Sequence, residues 1–239
     1  MKKIQFMTFG DSPALTVARR QLELWGYTIT DDPAQATHLL LPVPSFDESG
    51  KVRGAGPLPV LHEGTCVIGG NLQSLAHRKA DLLQDEYYLQ ENAAITAQCA
   101  MTRLPEPAGK RVLILGLGRI GRVLGQLLLQ QKARVDVAVR SEEKRRAALA
   151  LGMRPVYPQD WTLTQYDAIF NTVPMPMLEQ SQAREDALLV DLASQRGIAG
   201  NRVDHALALP GKEAPQLSGT LIAKTALRYA LEKEETICK

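Results

Sequence analysis

No stretch of this chain is apolar for long enough to cross a bilayer; every hydrophobic run falls short of the roughly 18 residues that a spanning helix needs. Charge of one sign is also lacking. The formal net charge is +2, so there is no electrostatic case for a nucleic-acid partner. Cysteine is scarce. Cys66, Cys99 and Cys238 are an odd set without metal-ligand spacing and read as reduced thiols of a cytoplasmic protein. The four histidines, His38, His62, His77 and His205, are scattered and form no H-x-x-x-H or triad pattern, so no metal site is visible. No internal repeat or low-complexity tract is present. Met1-Lys2-Lys3 is basic, but no signal-peptide core follows it. These absences leave a cytoplasmic protein with no membrane and no nucleic-acid partner. The 239 residues, 45% hydrophobic and 23% charged, have ordinary globular composition and suit one large or two modest domains.

The most informative segment runs from Val112 to Arg122 and reads V-L-I-L-G-L-G-R-I-G-R. Four apolar residues, Val112 to Leu115, predict a strand buried on both faces. Gly116, Gly118 and Gly121 follow, and then a helical pattern with Ile120, Val123, Leu124, Leu127 and Leu128. This is the dinucleotide-binding G-x-G-x-x-G in its strand-to-helix context. Gly116 makes the tight turn, Gly118 admits a pyrophosphate to the backbone, and Gly121 lets helix pack close to strand. The helix N-terminus, with Leu117, Arg119 and Ile120 beside the glycines, offers N–H groups and a positive dipole end to the phosphates.

The rest of the chain predicts an α/β protein. Before the fingerprint come a strand at 4–9, a helix from Ser12-Pro13 to about Trp25, and short strands at 27–30, 38–43, 59–62 and 66–69. Residues 1–90 therefore form a small α/β domain. Residues 91–239 form the Rossmann domain, with a linking helix near 90–103, further strands at 134–139, 155–157, 167–171, 187–192 and 206–209, and a C-terminal helix near 217–233 that can cross back to the first domain.

Cofactor choice rests on the residue after the second Rossmann strand. An Asp or Glu there would bond a ribose 2′-hydroxyl, but this chain has Arg140-Ser141, with Lys144 one turn on. A guanidinium can fork onto a 2′-phosphate and a serine can donate to it, so NADP is favoured over NAD. Two more strand ends face a ligand in such folds, Asn171-Thr172-Val173-Pro174 and Asp191-Leu192-Ala193-Ser194, and both are candidates for the nicotinamide and its ribose. Arg196 and Lys212 are candidate partners of a substrate carboxylate, and Ser45 is a candidate substrate contact from the first domain. No His–Glu or Lys–Asp pair stands out as an acid–base dyad. His205 precedes the last strand with nothing beside it in sequence to make it a base.

Several stretches together resemble the A subunit of dipicolinate synthase, the two-subunit enzyme of spore formers. They are V-L-I-L-G-L-G-R-I-G from Val112, V-A-V-R-S from Val137, N-T-V-P from Asn171, D-L-A-S from Asp191 and L-P-G-K-E-A-P-Q-L-S-G from Leu209. The resemblance implies a flavodoxin-like N-terminal domain beside the Rossmann domain. It also implies NADP-linked oxidation of dihydrodipicolinate to dipicolinate during sporulation, a small dicarboxylate substrate and a flavin-type B subunit. It leaves room for a homo-oligomer. Gln98, Gln195 and Gln216 depart from the residues expected at those family positions. Two alternatives stay open: a 2-hydroxy-acid or shikimate-type NADP dehydrogenase, and a non-catalytic NADP-binding partner protein.

Overall fold

The computed structural model describes residues 4–157 and 160–237. Met1-Lys2-Lys3 and Cys238 lie outside the described residues; Cys66 and Cys99 are buried thiols. The first strand, β1 (Gln5–Thr8), leads into α1 (Pro13–Leu24). The Ser12 hydroxyl accepts the Leu15 N–H at 3.1 Å, and Pro13 takes the first helical position, so this helix start follows from local chemistry alone. The strands β2 (Thr28–Ile29), β3 (His38–Leu40), β4 (Cys66–Gly69) and β5 (Lys79–Asp81) complete a parallel sheet in the order β2-β1-β3-β4-β5. That is the flavodoxin-like order. The expected strand at 59–62 is absent. Pro57 and Pro59 withhold ladder donors, and the loop instead turns Phe46, Val52, Leu58 and Leu61 onto the sheet face formed by Met7, Leu39 and Val67.

The helix α2 (Glu86–Met101) begins at Asp85, whose carboxylate accepts the Tyr88 N–H at 2.8 Å. The same carboxylate accepts the Tyr229 hydroxyl at 2.6 Å and pairs with the Arg228 guanidinium, both from the C-terminal helix α6 (Pro215–Ile237). Burial pushes the Asp85 carboxyl up, but these donors outweigh it and hold its pKa below the ordinary value. Lying along α1, α6 meets it through a glycine: a Cβ added at Gly219 would stand 2.4 Å from the Ala14 carbonyl oxygen and 2.5 Å from Val17 Cβ.

Two compact units result, one comprising Met1–Asn92 with Pro210–Lys239 and the other Ala93–Leu209. The expected boundary left 210–239 with the second domain. The structure groups the whole of it with the first unit, because α6 is anchored on α1 and Asp85.

The second unit carries β6 (Arg111–Leu115), α3 (Arg119–Gln130), β7 (Arg134–Ala138), α4 (Glu142–Ala150) and β8 (Arg154–Val156), then β9 (Ala168–Asn171), β11 (Leu188–Asp191) and β13 (Asp204–His205). A two-stranded parallel ribbon, β10 (Leu178–Glu179) with β12 (Ile198–Ala199), stands apart. The main sheet is parallel in the order β13-β11-β9-β6-β7-β8. With these six strands counted along the chain and read from β8, that is the 3-2-1-4-5-6 order of the Rossmann fold. Residues 112–115 are fully buried, as a strand covered on both faces must be. Leu113 and Leu115 pack with Tyr166, Ile169 and Leu189, while Ile114 faces α3, near Gly121 and Gly125. The expected strand at 206–209 gives way to the shorter β13 and to α5 (Leu209–Glu213), where Pro210 suits a first helical turn and cannot donate to a ladder.

Gly219→Ala separates helix propensity from packing. Propensity alone would add about 1 kcal/mol of stability, while overpacking costs about 1–3 kcal/mol. Because the added Cβ meets backbone, the expected outcome is a net loss of about 1 kcal/mol and a lower melting temperature by circular dichroism; a higher one would show that α6 does not need this close approach.

Candidate functional site

The three glycines after β6 each have a separate physical reason. Gly116 sits at φ +93°, where an L side chain is strained, and a Cβ there would also stand 2.6 Å from Val173 Cγ2. A Cβ on Gly121 would stand 2.3 Å from the Gly116 carbonyl oxygen, so the close contact of α3 with the turn depends on its absence. Gly118 differs. It is exposed at the N-cap of α3, with no heavy atom within 4 Å of where its Cβ would be. Nothing in the protein requires a glycine there, and the N-cap supplies no side chain to the first-turn N–H groups. A cradle of this kind, open and lined by N–H groups at a positive dipole end, fits a pyrophosphate.

The turn lies at the topological switch point. β6 pairs with β7 on one side and with β9 on the other, and the crevice opens at the carboxyl ends of β6 and β9. Thr172 ties the two loops together: its hydroxyl donates to the Leu115 carbonyl at 2.8 Å, and its backbone N–H to the same oxygen at 3.0 Å. Behind it, Asn171 and Asp191 are 0% and 1% exposed. Asn171 Nδ2 donates to Asp191 Oδ1 at 2.8 Å and to the Val173 carbonyl at 3.0 Å, while its Oδ1 accepts the Val173 N–H at 3.0 Å. Asp191 also accepts the N–H groups of Ala193, Gly197 and Ile198 at 3.2, 2.7 and 3.0 Å. Both belong to strand ends expected to border the nicotinamide and its ribose; their side chains are engaged with each other and with the loops after β9 and β11, because a buried amide and a buried carboxylate must have their hydrogen bonds met. Leu117, Leu192 and Ala193 are likewise buried, leaving only backbone to a ligand, whereas Pro174 and Ser194 are exposed and Thr172 and Val173 half-buried at the rim.

Past β7, Arg140, Ser141 and Lys144 are all exposed. The Ser141 hydroxyl accepts the Lys144 N–H at 3.2 Å as the cap of α4, which leaves its own proton to donate. Arg145 and Arg146 pair with Glu142 at 3.4 and 3.6 Å, and Arg145 also lies over the Tyr157 ring. Among the described residues, Arg140 and Lys144 have no ion pair. The basic run is thus divided between cations engaged with the protein and cations held out to solvent.

The loops after β9 and β11 also enclose a pocket of about 450 Å³, lined by residues that include Met177, Glu179, Gln182, Arg196 and His205. Arg196 is exposed and belongs to it. Lys212 does not line it; that residue lies on α5, in the segment that folds with the first unit. Ser45 is corrected from a substrate contact to a loop clasp. It is fully buried, donates to the Pro42 carbonyl at 2.8 Å and accepts the Gly70 N–H at 2.9 Å. His205, which has nothing beside it in sequence to make it a base, gains a partner in the fold. Parallel pairing sets it opposite Asp191, with Nδ1 3.8 Å from Asp191 Oδ2. The signal for it was the register of two neighbouring strands, which spacing along the chain does not reveal.

No protein-family model matches the sequence, and no curated protein sequence does. Solved structures do share its fold. The A subunit of dipicolinate synthase from Bacillus halodurans is similar at TM-score 0.82 and 19% identity, over 96% of this chain and 98% of that one. The corresponding dipicolinate synthase chain from Bacillus subtilis is similar at TM-score 0.79 and 19% identity, over 98% of both chains. A transhydrogenase from Sinorhizobium meliloti aligns at TM-score 0.67 and 15% identity, over 90% of this chain and 80% of that one. The resemblance noted in the sequence thus extends to the fold. Among the described residues no helix is long and apolar enough to cross a membrane.

Gly118, the N-cap of α3, and Gly121 in its first turn predict different costs for the same substitution. Gly118→Ala should cost less than about 1 kcal/mol, as a change at an open surface position does. Gly121→Ala should cost about 2–3 kcal/mol, since its Cβ would collide with a carbonyl that cannot move aside. Urea denaturation of both variants measures this; equal costs would contradict the separate roles.

Proposed function

We propose that this chain is an NADP-linked oxidoreductase of the dipicolinate synthase type, equivalent to that enzyme's A subunit, which oxidises dihydrodipicolinate to dipicolinate in partnership with a flavin-type B subunit. The observation that carries the reading is the open N-cap at Gly118, at the switch point of a 3-2-1-4-5-6 sheet whose next βα turn holds unpaired Arg140. The first turn of α3 would hold the pyrophosphate. Arg140 would fork onto the 2′-phosphate, with Ser141 donating and Lys144 adding charge. Thr172 to Pro174 and Ser194, at the rims of the two loops, would border the nicotinamide ribose. When bound, NADP supplies the hydride acceptor.

For the substrate, Arg196 would bind one carboxylate at the pocket, fixing the ring at near-attack distance. Formation of an aromatic ring supplies the driving force, so the protein's main work is to bind and orient. One observation favours a second reading: a histidine beside a carboxylate, as in Asp191 and His205, is what a 2-hydroxy-acid dehydrogenase uses to take a hydroxyl proton.

The test is to mix the chain, with and without a flavoprotein B subunit, with dihydrodipicolinate and NADP, and to follow NADPH and dipicolinate. Formation of both products supports the proposal, and dependence on the flavoprotein supports the partnership. Turnover of a 2-hydroxy acid by the chain alone supports the second reading, and no turnover in any mixture rejects both. Independently, Arg140→Asp should weaken NADP binding by about 10- to 100-fold, the worth of a charge-assisted contact of about 1.5–3 kcal/mol, and shift preference toward NAD. Calorimetric titration checks this; unchanged NADP affinity removes Arg140 from the phosphate site.

A further inference from the structure

We infer that His205, backed by the buried carboxylate of Asp191, is the ligand-facing proton acceptor of the Arg196 pocket; the inference rests on the oxidation proposed above. The two residues share a register position on neighbouring parallel strands. His205 Nδ1 is buried, has no hydrogen-bond partner and stands 3.8 Å from Asp191 Oδ2. That is beyond hydrogen-bond range but well within charge interaction, and such bonds often tighten only when ligand binds. The ring itself is partly exposed and lines the pocket. Nε2 is therefore the nitrogen left for a ligand. A proton on Nδ1, facing the carboxylate, leaves the Nε2 lone pair toward the pocket, which is the tautomer a base requires.

Asp191 is suited to stabilise the imidazolium that forms. Its own position is fixed by Asn171 and by the Gly197 and Ile198 N–H groups, so it cannot swing away as charge develops. Arg196 and Glu179 are the other charged residues lining the pocket. The step balances. One ring C–H bond gives its hydrogen and electron pair to the nicotinamide dinucleotide. The neighbouring C–H bond gives its proton to Nε2, and its electron pair completes the aromatic ring. Aromatisation makes the reaction favourable, but that proton still needs an acceptor, and His205 lines the pocket with a ring nitrogen to take it.

The test has one arm that needs no cofactor and no turnover. Dipicolinate is titrated into the full chain while the histidine ring signals are followed by NMR, the His205 signal being assigned by its loss in His205→Gln. The His205 signal should move while those of His38, His62 and His77 stay. In turnover, His205→Gln should lower kcat by about 100-fold, the usual contribution of a general base, with KM and NADP affinity little changed, and added imidazole should restore part of the activity of His205→Ala. A His205 signal unmoved at saturating dipicolinate, or a His205→Gln enzyme that keeps its kcat, overturns the inference. A parent protein that leaves dihydrodipicolinate untouched but whose His205 signal moves counts against the proposed reaction and supports His205 as the pocket's ligand-facing group.

Discussion

The contact between the Asn171 amide and the Asp191 carboxylate organises the carboxyl edge of the second sheet. Both groups are buried, and neither is stable there unless its hydrogen-bonding capacity is met. Asn171 meets its own by holding Val173, the residue that packs against the Gly116 turn. Asp191 meets its own by holding the Gly197–Ile198 turn next to Arg196. The Gly116 turn, the loop that carries Arg196 and the strand end at His205 therefore all stand on one polar pair.

Polar residues at strand ends thus need not touch a ligand to matter. A carboxylate with four donors around it is far better satisfied than one reaching into solvent, and it fixes two loops with little freedom left to either. Rim residues such as Thr172 and Ser194 can then be small, because their backbone is already set. The same pattern recurs within the main sheet, where the Asp136 carboxylate on β7 is satisfied by the Tyr166 hydroxyl at 2.7 Å and the Arg154 guanidinium. Burial and the bond to Asp136 push the Tyr166 hydroxyl up to about 12, so it remains a donor throughout the neutral range.

The first unit reaches stability by a different route. Its sheet has α1 but no helix between β3 and β4, where a proline-containing loop covers one face. The C-terminal helix then lies on α1 through Gly219 and is tied to Asp85 at the start of α2. A chain segment more than a hundred residues downstream thus belongs to the domain that the N-terminus begins.

Much of this was legible along the chain, because it depends on neighbours in sequence. The buried strand at 112–115, the three glycines, the Ser12-Pro13 helix start and the basic residues after β7 are local features, and local sterics and capping decide them. So the amino-acid sequence by itself determined an α/β chain with a dinucleotide fingerprint and its resemblance to the A subunit of dipicolinate synthase. The tertiary structure decided what depends on distant partners. It turned Ser45 into a clasp, bound Asn171 and Asp191 to each other, returned α6 to the first unit and set His205 beside a carboxylate. In each case the cause is the same: burial makes a polar group's role depend on who stands across from it, and strand register, not spacing, chooses that partner.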